Sequence, residues 1–417
     1  MFKRMSIYLL IGLTFLTMKC KSNTNPLNSK QSANLPRELT STENVIVEAD
    51  ADFGLKLFKT VNQHDSSDNI FISPLSVSMA LGMTLNGAAG QTYDDMKSTL
   101  ELNGLSEDEI NKAYKSLIDL LLNLDDKVIF DLANSIWPRE DFQVLPAFME
   151  INQKYFYSEA KSLDFTQSDA VDIINSWISE KTHGKIENML DYIPPDAVMY
   201  LINTIYFKGT WTYQFDEAFT STENFYSTPQ NPNNCEMMKI SGNWLYNQDN
   251  LVQIVDMPYG DSLYSMTVIV PVSGTVDEFI EHLTPETWTD YFSDLEYKKG
   301  TIIMPKLKLD YKITLNDALI DMGMGIAFNH GGNANFSRIN GSVGLFISRV
   351  LHQSFIQIDE EGTEAAAATI VEVLRSTASP QVDFFMRVDR PYIFVIRERI
   401  KNTILFLGKI SNPVWRD

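Results

Sequence analysis

The alternation of hydrophobic and polar residues changes its period along this chain, and each period predicts a kind of secondary structure. After Ser73-Pro74, an N-cap followed by proline at the first helical position, apolar residues recur at helical spacing as far as Asn86-Gly87. Residues 109–122 and 170–179 form two further amphipathic runs. These three segments are therefore predicted to be helices.

Strand patterns are concentrated in the second half of the chain. Residues 264–271 and 301–313 are rich in β-branched or alternating apolar positions. Residues 391–398 and 403–410 are apolar runs on either side of a short polar turn, which predicts a hairpin buried on at least one face. Because helical and strand patterns are mixed without regular alternation, and no linker or repeat interrupts residues 45–417, we expect one large α+β domain.

The beginning of the chain differs from this domain. An apolar run at residues 7–16 is too short to span a bilayer and is typical of a secretory signal, which we assign to residues 1–20. Cys20 lies where a bacterial lipoprotein carries its lipidated cysteine, so either lipidation of Cys20 or simple cleavage of the signal is expected. Residues 21–44 are polar and rich in Ser, Asn and Thr, which predicts a flexible tether.

Composition narrows the range of functions. The formal net charge of −20 argues against nucleic-acid binding, because that affinity comes largely from lysines and arginines. Cys235 is the one cysteine besides Cys20, so no internal disulfide is expected once Cys20 is removed or acylated. The chain lacks the motifs of the familiar hydrolase, zinc and nucleotide sites, and its 5 histidines lack metal-site spacing. We therefore expect neither an enzyme nor a metal or cofactor site.

The segment from Ile358 to Phe385 has the least ordinary composition. Four consecutive alanines, at positions 365–368, are strong helix formers, yet they stand between Gly362 and a β-branched stretch. Composition alone therefore leaves helix, strand and loop open for this segment.

Four stretches of the chain together resemble one family, the serpins (serine protease inhibitors). They are NIFISPLSVSMALGMTLNGAAGQT, LINTIYFKGTWTYQF, SRVLHQSFIQIDEEGTEAAAAT and DRPYIFVIRERIKNTILFLGKISNP, in the family's order and spacing. The resemblance implies an α+β serpin fold with three β-sheets and about nine helices. It also implies an exposed reactive-centre loop, about residues 360–383, above a metastable five-stranded main sheet. Cleavage of this loop would let its first half insert into that sheet as a new strand.

The same resemblance implies roles for individual residues. Trp211 corresponds to the tryptophan at the top of the sheet where insertion begins, a role compatible with core packing. His352 is expected from its apolar surroundings to be a neutral, hydrogen-bonded core histidine. The polar cluster below the insertion path corresponds to Ser73, Ser76, Asn203 and His352. The hinge of the loop corresponds to Glu360, Glu361, Gly362, Thr363, Glu364, Ala365, Ala366, Ala367, Ala368 and Thr369.

The hinge residues themselves suit a strand. Between Thr363 and Glu372 alternate side chains face opposite sides, which places both Glu364 and Glu372 on one face and only small or apolar groups on the other. No proline interrupts the segment, and Gly362 supplies a permissive backbone before it. About ten new backbone hydrogen bonds at a net ~0.5–1.5 kcal/mol each would contribute on the order of 10 kcal/mol.

Three neighbouring bonds are candidates for the bond that a protease cleaves. The family's usual spacing from Glu360 gives Ser376-Thr377, whereas a spacing one residue shorter gives Arg375-Ser376. We prefer Arg375-Ser376, because Arg375 is the one basic residue of the loop and fits the acidic pocket of a trypsin-like protease. Leu374-Arg375, which suits chymotrypsin-, elastase- or subtilisin-like enzymes, is the other alternative.

The predicted function is therefore that of an irreversible suicide-substrate inhibitor of serine endopeptidases. We expect an exported monomer, extracellular or at the cell surface as an outer-membrane lipoprotein, with membrane contact only through a lipid on Cys20. Its expected partner is a serine protease, preferably trypsin-like, and not a nucleic acid. Two alternatives are a non-inhibitory serpin acting as a binding or chaperone-like protein and a cross-class inhibitor of cysteine proteases. The small hinge residues favour inhibition over the first.

Overall fold

The computed structural model describes residues 35–329, 331–363 and 382–415. The helices in these ranges are α1 (Ser41–His64), α2 (Pro74–Leu85), α3 (Gly90–Thr99), α4 (Glu107–Leu121), α5 (Pro146–Phe156), α6 (Ala170–Lys181), α7 (Val276–His282), α8 (Pro285–Ser293), α9 (Asn316–Leu319) and α10 (Ser337–Asn340). The strands are β1 (Asn69–Ile72), β2 (Val128–Pro138), β3 (Glu159–Ala160), β4 (Met199–Thr210), β5 (Ser221–Thr228), β6 (Asn231–Gln248), β7 (Val252–Tyr259), β8 (Tyr264–Pro271), β9 (Glu296–Pro305), β10 (Leu307–Thr314), β11 (Leu351–Ile358), β12 (Gly362–Thr363), β13 (Phe384–Arg387), β14 (Tyr392–Glu398) and β15 (Ile404–Ile410).

The main sheet has 6 strands in the order β10-β11-β12-β4-β2-β3. Neighbouring strands are antiparallel except β2 and β3, which are parallel. Five of these strands correspond to the main sheet that the family resemblance implies, and β12 is the additional one. Because β12 begins in the predicted hinge, the described part of the loop already contributes a short strand between β11 and β4.

The second sheet has 9 strands, in the order β1-β15-β14-β8-β7-β6-β9-β13, with β5 paired to β6. Two smaller sheets were expected besides the main one. In the described residues they form one continuous ladder, because the long strand β6 pairs with β5, β7 and β9. The predicted α+β serpin fold is confirmed, with sheets that are antiparallel apart from the β2–β3 and β9–β13 pairs.

The three predicted helices are present as α2, α4 and α6. In α2 the Ser73 hydroxyl accepts a hydrogen bond from the amide of Ser76 (3.3 Å), and Pro74 occupies the first turn as predicted. Helix α4 begins with a capping box at Ser106, whose backbone is bound in return by Glu109. Local capping chemistry thus determines where these helices begin.

Strand β8 and the β14–β15 hairpin match their predicted segments, but the single strand predicted for residues 301–313 is wrong. The structure breaks it into β9 and β10, which belong to different sheets. The β6–β9 register runs through Pro305, opposite Met237, to Lys306, whose amide donates to the carbonyl of Glu236 (2.8 Å), and Leu307 then pairs with Ile358 of β11. β9 is buried on both faces from Gly300 to Pro305, whereas β10 is only partly buried, so the apolar pattern runs through the junction without a gap.

One large cluster of buried side chains connects the N-terminal helices with both sheets, and a smaller cluster lies under α6 around Trp137 and Trp177. Among the described residues, no helix combines the length and the apolar character needed to cross a bilayer. The apolar run at residues 7–16 and Cys20 lie outside the described residues.

Candidate functional site

The chain reverses direction between β11 and β12 in a short turn centred on Asp359. The Asp359 amide donates to the carbonyl of Gly362 (2.9 Å), and its carboxylate accepts from the amides of Glu361 (3.1 Å) and Gly362 (3.2 Å). Burial nevertheless raises the pKa of Asp359 above its usual value. This turn directs Gly362 and Thr363 into the main sheet.

The space at Gly362 accommodates no side chain. A Cβ atom at this position would overlap the carbonyl oxygen of Gly209 and lie 2.8 Å from the Cα atom of Thr210. Gly362 and Thr363 pair with Thr210 and Gly209 of β4, respectively, while Thr363 also pairs with Ile358 of β11. The requirement for glycine here therefore comes from the close approach of β4, in addition to the backbone freedom inferred from the sequence.

The side chain of Thr363 points into the core. It is 2% exposed, and its hydroxyl is hydrogen-bonded to the Tyr259 hydroxyl. The Tyr259 ring stacks on Trp211, with centroids 4.4 Å apart and planes at 11°. Tyr259 is fully buried, and burial raises its pKa well above the usual value, so it remains a neutral hydrogen-bonding partner.

Trp211 holds the turn between β11 and β12 through two hydrogen bonds. Its indole Nε1 donates to the carbonyl of Asp359 (2.9 Å) and its backbone amide to the carbonyl of Glu361 (2.9 Å). The amide of Phe215 donates to the carbonyl of Glu360 (2.9 Å). Trp211 is buried, as the core-packing interpretation requires, and it lies at the place where the resemblance puts the start of insertion.

Glu360 forms a nearly buried ion pair at the base of the loop. Its carboxylate accepts from Lys306 Nζ (2.8 Å) and from the Thr220 hydroxyl (2.7 Å). Burial opposes ionisation, but these hydrogen bonds hold the pKa of Glu360 below its usual value. The charged pair therefore anchors the end of β11 to the segment that joins β9 and β10.

Ser73 and His352 meet below the hinge. The Ser73 amide donates to His352 Nε2 (3.0 Å), and the Ser73 hydroxyl donates to the carbonyl of Leu405 (2.7 Å). Burial lowers the pKa of His352 to about 4, so the ring is neutral and Nε2 is an acceptor. These contacts, together with the Ser76 amide on Ser73, link β11, α2 and β15.

Asn203 is the fourth residue of the predicted cluster, but its side chain hydrogen-bonds to β2 and not to Ser73 or His352. Its side-chain amide donates to Asn134 Oδ1 on β2 (2.7 Å), and its own Oδ1 is buried without a hydrogen-bond partner in the described ranges. A cavity of about 350 Å³ lies between the lower parts of β4 and β11, and Ser76, Asn203 and His352 all line it. Three residues of the predicted cluster thus line one cavity, and Ser73 joins them through its hydrogen bond to His352.

Some predicted site residues cannot be placed. Glu364 to Thr369 of the hinge, Leu374 to Thr377 at the candidate bonds, and Cys20 lie outside the described residues. Conversely, sequence reasoning missed Tyr259, Lys306 and Asn134. Nothing in a single sequence connects Tyr259 or Lys306 with the hinge, because they are far away along the chain.

Within the described ranges, no three His, Cys, Asp or Glu side chains converge as a metal site. Cys235 is a half-buried free thiol, and burial together with nearby Glu236 raises its pKa to about 11. This thiol is therefore protonated at neutral pH and is a weak nucleophile.

A main sheet that holds the beginning of a hinge strand between two long strands, above a buried Ser–His cluster, is the architecture expected of a serpin. The family model described as serpin (serine protease inhibitor) matches residues 48–413. The chain therefore belongs to the serpin family.

Several relatives and solved structures are similar over nearly the whole domain. Iripin-8 of Ixodes ricinus is 35% identical over 373 residues, which cover 86% of this chain and 91% of that protein. The native-state crystal structure of tengpin, a thermophilic serpin, is 32% identical with a TM-score of 0.81, covering 90% of this chain and 95% of tengpin. Human thyroxine-binding globulin, solved as a complex with thyroxine, is 26% identical with a TM-score of 0.81, covering 90% of this chain and 100% of the globulin.

Proposed function

We propose that this serpin is an irreversible suicide-substrate inhibitor of serine endopeptidases and has no catalytic activity of its own. The observation that carries the proposal is β12, a strand of the hinge that lies between β11 and β4 and buries Thr363 against Tyr259. Since β12 pairs on both sides, it can act as the first step of a longer insertion. The description of the family as serine protease inhibitors supports this function.

The pairing of β12 defines the register that a longer strand would have. Thr363 lies opposite Gly209 of β4 and Ile358 of β11, and each further residue moves one position back along both strands. Thr369 then falls between Asn203 and His352 and faces inward like Thr363. Its hydroxyl would be able to donate to Asn203 Oδ1, which has no partner among the described residues. The register therefore supplies a partner for a buried acceptor.

The proposed chemistry belongs to the protease. Its serine attacks the carbonyl carbon of Arg375, the amide nitrogen of Ser376 leaves, and an ester joins Arg375 to the enzyme. The released hinge then inserts between β4 and β11 and carries the acyl-enzyme with it. Inhibition succeeds when insertion is faster than the attack of water on the ester, and about ten new backbone hydrogen bonds, on the order of 10 kcal/mol, favour insertion.

Target and location are further parts of the proposal. Arg375 favours a trypsin-like target, while Leu374-Arg375 and Ser376-Thr377 would direct the loop to other serine proteases. The apolar run at residues 7–16 supports export, with Cys20 as a lipid-bearing residue and residues 21–44 as a tether. We propose an extracellular or surface-attached monomer that meets its target protease outside the cell.

Incubation with a trypsin-like protease tests this function. We expect a protein–protease complex that survives denaturing electrophoresis, together with release of a peptide that begins at Ser376, identified by its mass. Arg375→Ala should abolish the complex with this protease, whereas the neighbouring Ser376→Ala, the matched control, should retain it.

Other outcomes separate the alternatives. Cleavage of the loop with full protease activity, and no complex with any serine protease, would contradict inhibition and favour a binding protein, as thyroxine-binding globulin is by its name. Trapping of a papain-like protease without any trapping of serine proteases would favour cross-class inhibition.

A further inference from the structure

A short segment after β15, residues 411–415, crosses from the second sheet to the main sheet. The amide of Asn412 donates to Asn69 Oδ1 (3.0 Å) at the start of β1, and Asn69 Nδ2 donates in return to the carbonyl of Asn412 (2.8 Å). The carbonyl of Val414 then accepts from the amide of Lys308 (2.9 Å) in β10. The segment is therefore held by hydrogen bonds to both sheets.

This path brings the ring of Trp415 onto the side chain of Lys306. Lys306 Nζ lies 4.4 Å from the centre of the Trp415 ring, a distance at which an aromatic face attracts an ammonium group. The same Nζ donates to the carboxylate of Glu360 (2.8 Å). Trp415 and Glu360 therefore contact one ammonium group, although Trp415 belongs to a segment remote from the loop.

Lys306 is a residue whose backbone is fixed and whose side chain is intrinsically mobile. It is the single residue between β9 and β10, and its amide donates to the carbonyl of Glu236 (2.8 Å). Its ammonium group, by contrast, is carried on a flexible four-carbon stem, and holding this stem in one conformation costs entropy. A ring face that favours one position of the ammonium group therefore makes the ion pair with Glu360 easier to form.

The ion pair lies where charge interactions are strong. The side chains of Lys306 and Glu360 are 18% and 6% exposed, so little water competes for the ammonium group. Burial raises the pKa of the neighbouring Asp359, and the charge of Lys306 is among the influences that oppose this rise. Lys306 thus acts on two acids of the turn between β11 and β12.

The position of Glu360 affects the place where insertion begins. The Thr220 hydroxyl donates to the Glu360 carboxylate (2.7 Å), and the amide of Phe215 donates to the Glu360 carbonyl (2.9 Å). Two residues further on, Gly362 enters the main sheet against β4 with no room for a side chain. A displacement of Glu360 would therefore be passed on to β12.

We propose that Trp415 is a positioning residue for the hinge. Its ring holds the Lys306 ammonium group on the Glu360 carboxylate, and this fixes the turn after β11 in the position from which β12 enters the main sheet. The inference deepens the proposed function and rests on it, because a fixed starting point matters only if the loop inserts. It connects the segment after β15 with the site of insertion.

Two replacements of Trp415 separate its aromatic face from its apolar bulk. Trp415→Phe keeps an aromatic face, whereas Trp415→Leu covers the stem of Lys306 without one. We expect Trp415→Leu to raise the excess of inhibitor consumed above one per protease trapped by about two- to fivefold, the effect of losing a cation–π contact at a partly exposed site. Trp415→Phe should stay within about twofold of wild type, because the weaker aromatic face is retained.

A double-mutant cycle shows whether Trp415 acts through Lys306. No hydrogen bond joins Trp415 to Glu360 in the described ranges, so any coupling between them has to pass through the ammonium group. The effects of Trp415→Leu and Glu360→Gln on the equilibrium constant of urea unfolding should be coupled by about two- to fivefold. The coupling should disappear when both changes are made in Lys306→Met, whereas a tryptophan that only fills space would not depend on this charge.

The matched control is Tyr157→Leu, which removes a comparable contact elsewhere. The Tyr157 ring, at the end of α5, lies 4.0 Å from Lys115 Nζ on α4. Among the described residues, neither side chain is hydrogen-bonded to the turn between β11 and β12. This variant should leave the inhibitor consumed per protease trapped unchanged and should show no coupling with Glu360→Gln.

The outcomes distinguish failure of this inference from failure of the proposed function. If wild type traps protease but Trp415→Leu consumes no more inhibitor than wild type, or if the coupling with Glu360 persists in Lys306→Met, the positioning role is overturned and the inhibitor function stands. If wild type traps no protease and gains no thermal stability when its loop is cleaved, the loop does not insert. That result overturns the inhibitor function and the role of Trp415 in insertion together, even where the coupling in urea unfolding is found.

Discussion

Replacing Thr363 with arginine changes the residue at which insertion begins. Thr363 is 2% exposed and shares a hydrogen bond with Tyr259, whose ring stacks on Trp211. An arginine in this place has to bury its charge against two stacked aromatic rings or remain outside the sheet. We therefore expect Thr363→Arg to be cleaved as an ordinary substrate.

The magnitude follows from the contacts at this position. Burial of an unpaired charge costs several kcal/mol, and loss of the threonine–tyrosine hydrogen bond costs about 1 kcal/mol, so the inserted state is destabilised by roughly 4 kcal/mol. If about half of this destabilisation is already present in the transition state for insertion, insertion slows by roughly thirtyfold, since 1.36 kcal/mol is a factor of ten. Hydrolysis of the acyl-enzyme takes place in the protease and keeps its rate.

Titration of a trypsin-like protease with the inhibitor measures directly how the acyl-enzyme is divided between insertion of the loop and hydrolysis. Wild type should trap the protease at a ratio close to one, and in Thr363→Arg the excess of inhibitor consumed above one per protease trapped should rise about thirtyfold. Thr363→Ser is the control, because it retains a small side chain and a hydroxyl. An arginine variant that inhibits at the wild-type ratio would refute a strand that starts at Thr363.

Three further predictions concern buried charges. Lys306→Met leaves the Glu360 carboxylate without its ammonium partner, and the thermal midpoint of the native form should fall by the equivalent of about 3 kcal/mol; an unchanged midpoint would contradict an anchoring role. Burial lowers the pKa of His352 to about 4, so as pH falls the unfolded chain takes up this proton before the folded protein does. About 3 kcal/mol of stability should therefore be lost between pH 6.5 and pH 4. Urea unfolding across this range should show the loss in wild type and not in His352→Gln. Burial raises the pKa of Asp50 to about 7, so stability should fall as pH rises from about 4 to 7, and Asp50→Asn should be more stable than wild type at pH 8 but not at pH 4.

Much of the fold follows from local sequence signals. The Ser73-Pro74 cap gives the start of α2, and the two apolar runs around a polar turn give the β14–β15 hairpin. These elements are predictable because neighbouring residues decide them. The break between β9 and β10 was not predictable, since the periodicity of the side chains does not reveal that the chain passes from one sheet to another.

The contacts of the site depend on tertiary structure. Tyr259 and Thr363 are 104 residues apart, and Lys306 and Glu360 are 54 residues apart, so no local pattern brings them together. Asn203 was expected beside the Ser73–His352 contact on the basis of the family, but only the structure shows its side chain turned to Asn134.

A crystal structure of the protein cleaved within its loop tests the central claim most directly. We predict that β12 extends between β4 and β11 in the register set by Thr363, with Thr369 level with Asn203 and His352. A cleaved protein in which the segment after Thr363 remains outside the main sheet would contradict the account.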